Sequence, residues 1–589
     1  MSVDTGHNFR VSTIFQLFFK ILGPEKQFYT LAIIYGVGIS LLSLATPISV
    51  QMLINTVANT ALATPLIVLS STLFVLLLAS GLLYALRVHL MEIFGRRFYA
   101  RCVSDIALRA IYARDPFFHD DGRSPLFNRY FDILIVQKVM PSLLIGGFTL
   151  LLQAGVGFVV VSFYHPLFLA FNAIIIALLW AVWLFWGKAA IRTAIERSHQ
   201  KHLAAAWLEG VASSNGFFKT DRQIDYALRR TDTVTKGYVD AHRDHFRQAF
   251  AQTISFLMIY AMASAALLGL GGWLVIQGQL SLGQLVAAEL ILTAVFFGIS
   301  QLGTYMDHFY DLCAAVEELS RFLDVDLESD EGNKSFEFED ASLQFVNVRG
   351  EARGAPANLN FRLESAATVM AAVEHHGLQR LITNLLKRHV EPYGGFIALG
   401  GADILAMKTT ELHRQIAVLD RPTIVEMSIR EYLELSCEDI TPAKALDAIR
   451  LVGLEQVIAR FDEGLDTILA GNGRPLSTTE TMQLKLAAAI LARPRVLILN
   501  PLYDLVDEAV LSRALSHLQS DKGNTVLYFS RRKRDLGCDT FLYVRETQQD
   551  IYYSFETFHE AVYGTPPTAL PARNKMISGD STVAIGSSD

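Results

Sequence analysis

Six apolar runs, each long enough to cross a bilayer as a helix, decide what this chain can fold into. A span needs about 20 predominantly apolar residues, because in lipid only an intact helix or a closed barrel satisfies every backbone N–H and C=O. The runs are Phe28–Val50, Leu66–Leu86, Val139–Phe163, Leu167–Gly187, Ala249–Ile276 and Leu282–Leu302. They leave only 19% charged residues in a chain of 589, the balance of a membrane domain carrying a soluble one.

Charge orients the spans. Arg96, Arg97, Arg101, Arg109 and Arg114 lie between the second and third. Lys188, Arg192, Arg197, Lys201, Lys219, Arg222, Arg229 and Arg230 lie between the fourth and fifth. The loops Gln51–Pro65, Tyr164–Pro166 and Gln277–Ser281 carry neither Lys nor Arg. The positive-inside rule therefore assigns the N-terminus, the two long loops and everything after the sixth span to the cytoplasm.

Residues 1–24 read as an amphipathic elbow, with a helix over Val11–Leu22 expected to lie flat among the headgroups. No small-residue cleavage site follows it, so it is not a secretory signal. Residues 25–324 form the six-span domain, whose long loops are helix-patterned and are expected to continue the spans below the membrane. Each long loop has a break, Asp115–Gly122 in the first and Gly210–Gly216 in the second. Either could be a short transverse helix or a plain turn, since both are rich in turn formers.

Glu289 lies inside the sixth span, where an ionisable group is a functional candidate, although its nearness to the outer end also suits a hydrated carboxylate. His165-Pro166 reads as turn chemistry, and Gly146, Gly147, Gly155 and Gly157 as close helix packing. Cys102, Cys313, Cys437 and Cys538 are far apart, with no metal-ligand spacing and no disulfide framework. The net charge of −7 gives no case for a nucleic-acid partner.

After an acidic linker at 325–335 the period changes. Strand-like segments (Phe336–Phe345, Ala367–Val373, Phe396–Leu399, Ile416–Leu419, Val496–Leu499, Thr525–Phe529, Thr540–Val544) alternate with helical ones (Leu378–Lys387, Ile429–Leu435, Pro442–Val452, Thr479–Leu491, Glu508–Ser520). That alternation predicts an α/β domain with a largely parallel sheet over 336–563. Residues 564–589, rich in Pro, Ser, Thr and Gly, read as a disordered tail.

Several motifs now fall into order. Asp340-Ala341-Ser342-Leu343-Gln344-Phe345 fits an opening strand, and Glu391-Pro392-Tyr393-Gly394-Gly395 follows the first helix. Leu412–Val418 leads into a Q-loop region, and Leu465-Asp466-Thr467 precedes Leu476-Ser477. Leu486–Pro494 fits the helix after a signature motif, Val496–Leu499 a Walker B strand, and Leu505-Val506-Asp507 a D-loop. From Val11 to Val562 the chain resembles a half-transporter of the ATP-binding cassette exporter family. The resemblance implies a membrane all-α six-helix exporter domain followed by a cytoplasmic α/β P-loop-NTPase-like domain. It further implies a dimer, either a homodimer or a heterodimer with another half-transporter, in a bacterial cytoplasmic (inner) membrane.

The family's chemistry needs a glycine-rich loop whose N–H groups cradle phosphates, a lysine that reaches them and a hydroxyl for Mg²⁺. The corresponding segment is Glu374-His375-His376-Gly377-Leu378-Gln379-Arg380, with Gln379 at the lysine position and Arg380 at the hydroxyl position. Glu374 adds a negative charge against a triphosphate. Where the Walker B strand should end in a metal-binding Asp and a Glu that polarises water stand Asn500 and Pro501. Asp420 stands in the Q-loop region, Arg531 at the switch histidine, and Leu476-Ser477-Thr478-Thr479-Glu480 at the signature. Phe345 fits the adenine-stacking aromatic, and Ser477 and Asp507 are the other remnants, each equally readable as a helix cap or a loop acid.

These coordinated substitutions lead to the expectation of a transport subunit whose cassette keeps the fold and has lost ATP hydrolysis, with no catalytic residue, no metal, and ATP with Mg²⁺ only if the altered site still binds them. The alternatives are a membrane scaffold that moves no substrate and an active ATPase with atypical motifs that uses Arg380, His375 and His376. The spans identify no substrate.

Overall fold

The computed structural model describes residues 11–60, 63–114, 124–328, 338, 340–438, 440–520 and 523–564. The chain divides into two compact units, residues 1–327 and 328–589.

The first unit is helical: α1 (Val11–Leu22), α2 (Lys26–Leu42), α3 (Ala45–Thr60), α4 (Ala63–Ile111), α5 (Asp132–Ser142), α6 (Phe148–Ser162), α7 (Pro166–Ser213), α8 (Asp221–Ile276) and α9 (Leu282–Ser320). They contain six candidate spans, and α4, α7 and α8 run far past their apolar windows. Local chemistry sets their starts. His165 Nδ1 accepts from Leu167 N at 3.2 Å with Pro166 at the first helical position, and capping boxes open α8 (Thr220 with Gln223) and α9 (Ser281 with Gln284).

The first run is not one helix. It breaks at Ser43-Leu44, between α2 and α3. Pro47 explains the break, because it has no N–H for the carbonyl four residues back and its ring crowds that carbonyl. The third span carries a π-turn over Leu143–Gly147, just past Pro141. Wholly buried Arg87 donates to Leu144 O and Thr149 Oγ1 around that turn. The ring of Tyr305 lies where a Cβ on Gly146 would stand and packs closely on Gly147, and Gly157 admits Ile291 and Val295, whereas Gly155 faces open space.

Of the two loop breaks, Asp115–Gly122 lies outside the described residues. The second is a turn: α7 ends at Ser213, residues 214–217 turn, and α8 starts at Asp221. A transverse helix is excluded there because the chain reverses directly into the Thr220 cap. Along the helix extensions beyond the apolar runs, buried carboxylates tie helices together. Asp132 is hydrogen-bonded to Lys201 Nζ at 2.8 Å and His202 Nε2 at 2.6 Å, and Glu318 accepts from Arg129 at 2.5 Å.

The second unit opens with a hairpin, β1 (Leu343–Ala352) and β2 (Ala355–Leu363). There follow β3 (Thr368–Val373), α10 (His376–Leu386), β4 (Gly394–Leu399), β5 (Ala402–Asp403), α11 (Thr409–Gln415) and β6 (Ile416–Leu419). A lobe of β7 (Met427–Ser428), α12 (Ile429–Glu434), α13 (Pro442–Leu451), α14 (Glu455–Ile458) and β8 (Ile468–Leu469) comes next. The chain closes with α15 (Thr478–Ala492), β9 (Val496–Leu499), α16 (Glu508–Ser520), β10 (Thr525–Phe529), β11 (Thr540–Val544), β12 (Gln549–Tyr552) and α17 (Phe555–Tyr563). The main sheet runs β12-β11-β3-β10-β9-β6, parallel except at the β11–β12 edge pair. Its inner strands are short, continuous apolar runs because both faces are covered; every residue of β9 and β10 is buried. A smaller antiparallel sheet has the order β2-β1-β4-β5.

The opening strand begins at Leu343, later than Phe336, and runs on to Ala352. The following strand β2 was not anticipated. Its two-residue turn, Arg353-Gly354, has φ of 53° and 81°, the geometry of a tight hairpin turn with an arginine in place of the usual Asn or Asp. The predicted tail lies outside the described residues from 565 onward, as do residues 1–10 of the elbow and 329–335 of the linker.

Candidate cassette edge

In open α/β sheets, ligands sit beyond the carboxyl ends of parallel strands. Here β3 runs into Glu374, β6 into Asp420, β9 into Asn500 and β10 into Ser530-Arg531. The fold thus delivers most of the sequence-predicted positions to one edge.

Beyond β3 only Glu374 and His375 intervene before α10. Glu374 is exposed, and its N–H donates to Val544 O at 3.0 Å. His375 Nε2 lies 3.3 Å from Glu546 Oε1, while its Nδ1 is buried with no partner. His376 Nδ1 pairs with Gln379 Oε1 at 3.2 Å, and Gln379 is only 3% exposed. Leu378 is wholly buried, and its N–H is already bonded to His375 O at 3.1 Å. Gly377 is the position where Arg353 and His375 crowd in, at 2.8 and 2.9 Å from an added Cβ. Arg380 is exposed on the helix.

The next two strand ends are bonded to each other. Asn500 is 8% exposed; its Nδ2 donates to Asp420 O at 2.6 Å and its Oδ1 accepts from Leu502 N at 3.0 Å. Asp420 carries an ion pair with Lys387 Nζ at 3.0 Å. Lys485 Nζ reaches across from α15 to donate to Arg421 O at 2.8 Å and Thr423 O at 3.0 Å. Burial lowers the Lys485 amine below its ordinary value; Lys387 and Arg421 add to this and Asp420 opposes it. Pro501 starts a short 3₁₀ turn in which buried Tyr503 donates to Met482 O at 3.0 Å.

A third knot joins β10 to the segment after β9. Asp504 accepts from Tyr528 OH, from Ser530 Oγ at 2.8 Å and from Arg531 N at 2.9 Å, so Arg531 contributes its backbone there while its side chain is exposed. Arg532 donates to Asp504 O at 2.8 Å and to Val506 O, and pairs with Glu508 at 3.3 Å. Only its Nε is buried without a hydrogen bond.

Three expected remnants stand elsewhere or do other work. Phe345 is 1% exposed and stacks on Phe361 with ring centroids 4.5 Å apart, so its ring lies within the core. The cause is register: β1 pairs with both β2 and β4 and bulges between Phe345 and Val348, which turns the ring into the core. Ser477 caps α15 in a box with Glu480, and Asp507 caps α16 through Ala509 N at 2.9 Å and Val510 N at 3.3 Å. Sequence reasoning passed over Lys387, Lys485, Asp504 and Arg532. Lys485 alone carried a local signal, as a lone charge in the apolar stretch Leu484–Ala489.

Comparison with known proteins agrees with this layout. The chain is 25% identical over 315 residues to the leukotoxin translocation ATP-binding protein LktB of Mannheimia glucosida, covering 52% of this chain and 44% of that one. It is 27% identical over 274 residues to the alpha-hemolysin translocation ATP-binding protein HlyB of Escherichia coli O157:H7, covering 45% and 38%. The chain thus spans less than half the length of these curated relatives. No family model matches it. In fold it is similar to a solved bacterial Atm1-family ABC exporter with ATP bound, with a TM-score of 0.78 at 16% identity over 92% of this chain and 97% of that one. Six apolar helices followed by an α/β domain thus give this chain the fold of an ATP-binding cassette exporter, with sequence similarity to translocation ATP-binding proteins.

Proposed function

We propose that this chain is a dimeric transport subunit whose cassette domain holds its fold without hydrolysing ATP. It sits in a bacterial cytoplasmic membrane with its N-terminus and second unit inside, as the Lys/Arg bias of the long loops supports. The two relatives are named for translocation, which supports transport as the task.

The observation that carries the loss of hydrolysis is the Asn500 amide. Its donor and acceptor are both bonded within the protein, to Asp420 O and Leu502 N, and Pro501 beside it has no acid–base group. The residues around it do not fit a magnesium triphosphate. Only two residues separate β3 from α10, the Glu374 and Leu378 N–H groups are already bonded, and Gln379 is buried against His376. Phosphoryl transfer relies on metal charge and a positioned nucleophile, and Asn500-Pro501 supplies neither a metal-binding carboxylate nor a group to polarise water.

The test is Mg²⁺-dependent ATP turnover by the purified full-length protein in nanodiscs. The expected result is no turnover above an EDTA control. Turnover that is abolished by Arg380→Ala or Glu374→Ala would overturn the reading and favour an atypical ATPase.

A further inference from the structure

The break in the first span opens a recess of about 240 Å³ between the first, third and sixth spans of the same chain. Its walls are mostly apolar, with Leu44 and Pro47 on one side and Leu290, Ile291 and Val295 on the other. Three polar residues line it as well: Ser43, Thr46 and Gln153. The Ser43 hydroxyl is bonded to Ser40 O at 2.7 Å. The Ser43 carbonyl, however, has lost its helical donor, because the residue four further on is Pro47. The Gln153 carboxamide, near the middle of the third apolar run, makes no hydrogen bond to another described residue. An acceptor and an amide without partners are costly in a bilayer unless something arrives to pair with them. Helices interrupted near the midplane are where transporters of other folds place their ligands.

We infer that this recess binds a small neutral amphiphile: a short apolar body carrying one hydroxyl or carboxamide that pairs with Gln153 and the Ser43 carbonyl. Neutrality follows from the lining, which holds no charged side chain, so an ionic headgroup would enter without a counter-charge. Size follows from the volume, which is below the roughly 300–1,000 Å³ of sites for drug-sized ligands. The inference is independent of the state of the cassette and stands whether or not ATP is hydrolysed.

Full-length protein in phosphatidylcholine nanodiscs, photolabelled with a diazirine-bearing octanol, provides the test. Labelling is expected to saturate on peptides that contain residues 43–47 and 290–295. Octanamide competes, and octanoate competes at least about tenfold less well. Gln153→Leu weakens labelling by about tenfold, the scale of one hydrogen bond lost in an apolar site. Val295→Trp fills the recess and abolishes labelling, whereas Gln153→Asn, which keeps the carboxamide, retains it and controls for folding. Labelling that does not saturate, octanoate competing as well as octanamide, or an unchanged Gln153→Leu would each overturn the proposal and leave a bilayer acyl chain as the occupant.

Discussion

The cassette edge and the first-span recess handle polar groups in opposite ways. At the edge, Asn500, Lys485 and Asp504 are bonded to the protein itself. In the recess, where an unpaired group is costly, the Gln153 amide has no hydrogen bond to another described residue and the Ser43 carbonyl has lost its helical donor to Pro47. A ligand site needs unpaired polarity held in position, and a structural joint needs the reverse. At Asn500, Lys485 and Asp504 the edge has the pairing of a joint, although His375 Nδ1 and Arg532 Nε there are buried without partners, whereas the recess has the unpaired polarity of the proposed site.

The largest expected effect comes from putting an acid back at the edge. Asn500→Asp keeps an acceptor for Leu502 N but turns the other oxygen onto the Asp420 carbonyl, where the amide now donates at 2.6 Å. The group is nearly fully buried, so the change places an uncompensated charge against an acceptor. A loss of about 3–5 kcal/mol is expected, the range for an unpaired buried charge. Hydrogen exchange of β6 and β9 in the full-length protein reads it directly, as faster exchange in both strands. If exchange is unchanged, the two strand ends are not joined by this amide, and the contrast with the recess collapses.

Why the joint was hidden from sequence is physical. Apolar runs announce the spans and the inner strands, because length and burial are local properties of the chain; Val496–Leu499 reads as a buried strand without further help. The break at Ser43 was missed, although Pro47 inside the span was a local signal for it. The joint depends on pairs far apart in sequence, such as Asn500 with Asp420 and Lys485 with Arg421, and a single sequence does not encode such register. The burial of Phe345 was hidden for the same reason: its partner Phe361 and the nearby bulge lie at a register that the local sequence does not display. Ser477 and Asp507 were open to two readings, and in the structure they cap α15 and α16.

A smaller effect grades the edge. Lys387 and Asp420 form an ion pair whose side chains are 21% and 28% exposed, so water already screens it. Lys387→Met is expected to cost only about 0.5–1 kcal/mol, and the cost should shrink further in high salt. The same exchange measurement at two ionic strengths separates it from Asn500→Asp. A salt-independent loss as large as that of Asn500→Asp would show that the pair is a principal tie of the joint.

Glu289 should give the smallest change, and it tests the membrane side of the contrast. It is half-buried in α9, with Oε2 wholly buried and without a partner. Such a carboxylate does not stabilise the fold, so Glu289→Gln should leave stability within about 1 kcal/mol of the parent, on the favourable side, because the glutamine carries no charge to desolvate. The thermal midpoint of the detergent-solubilised full-length protein measures this. Glu289 immediately precedes Leu290 but does not line the recess, so octanol labelling should also be unchanged. A midpoint that falls as far as it does for Asn500→Asp would mean that Glu289 holds the sixth span in place. The unpaired oxygen would then belong to a joint, and unpaired polarity would no longer separate the two regions.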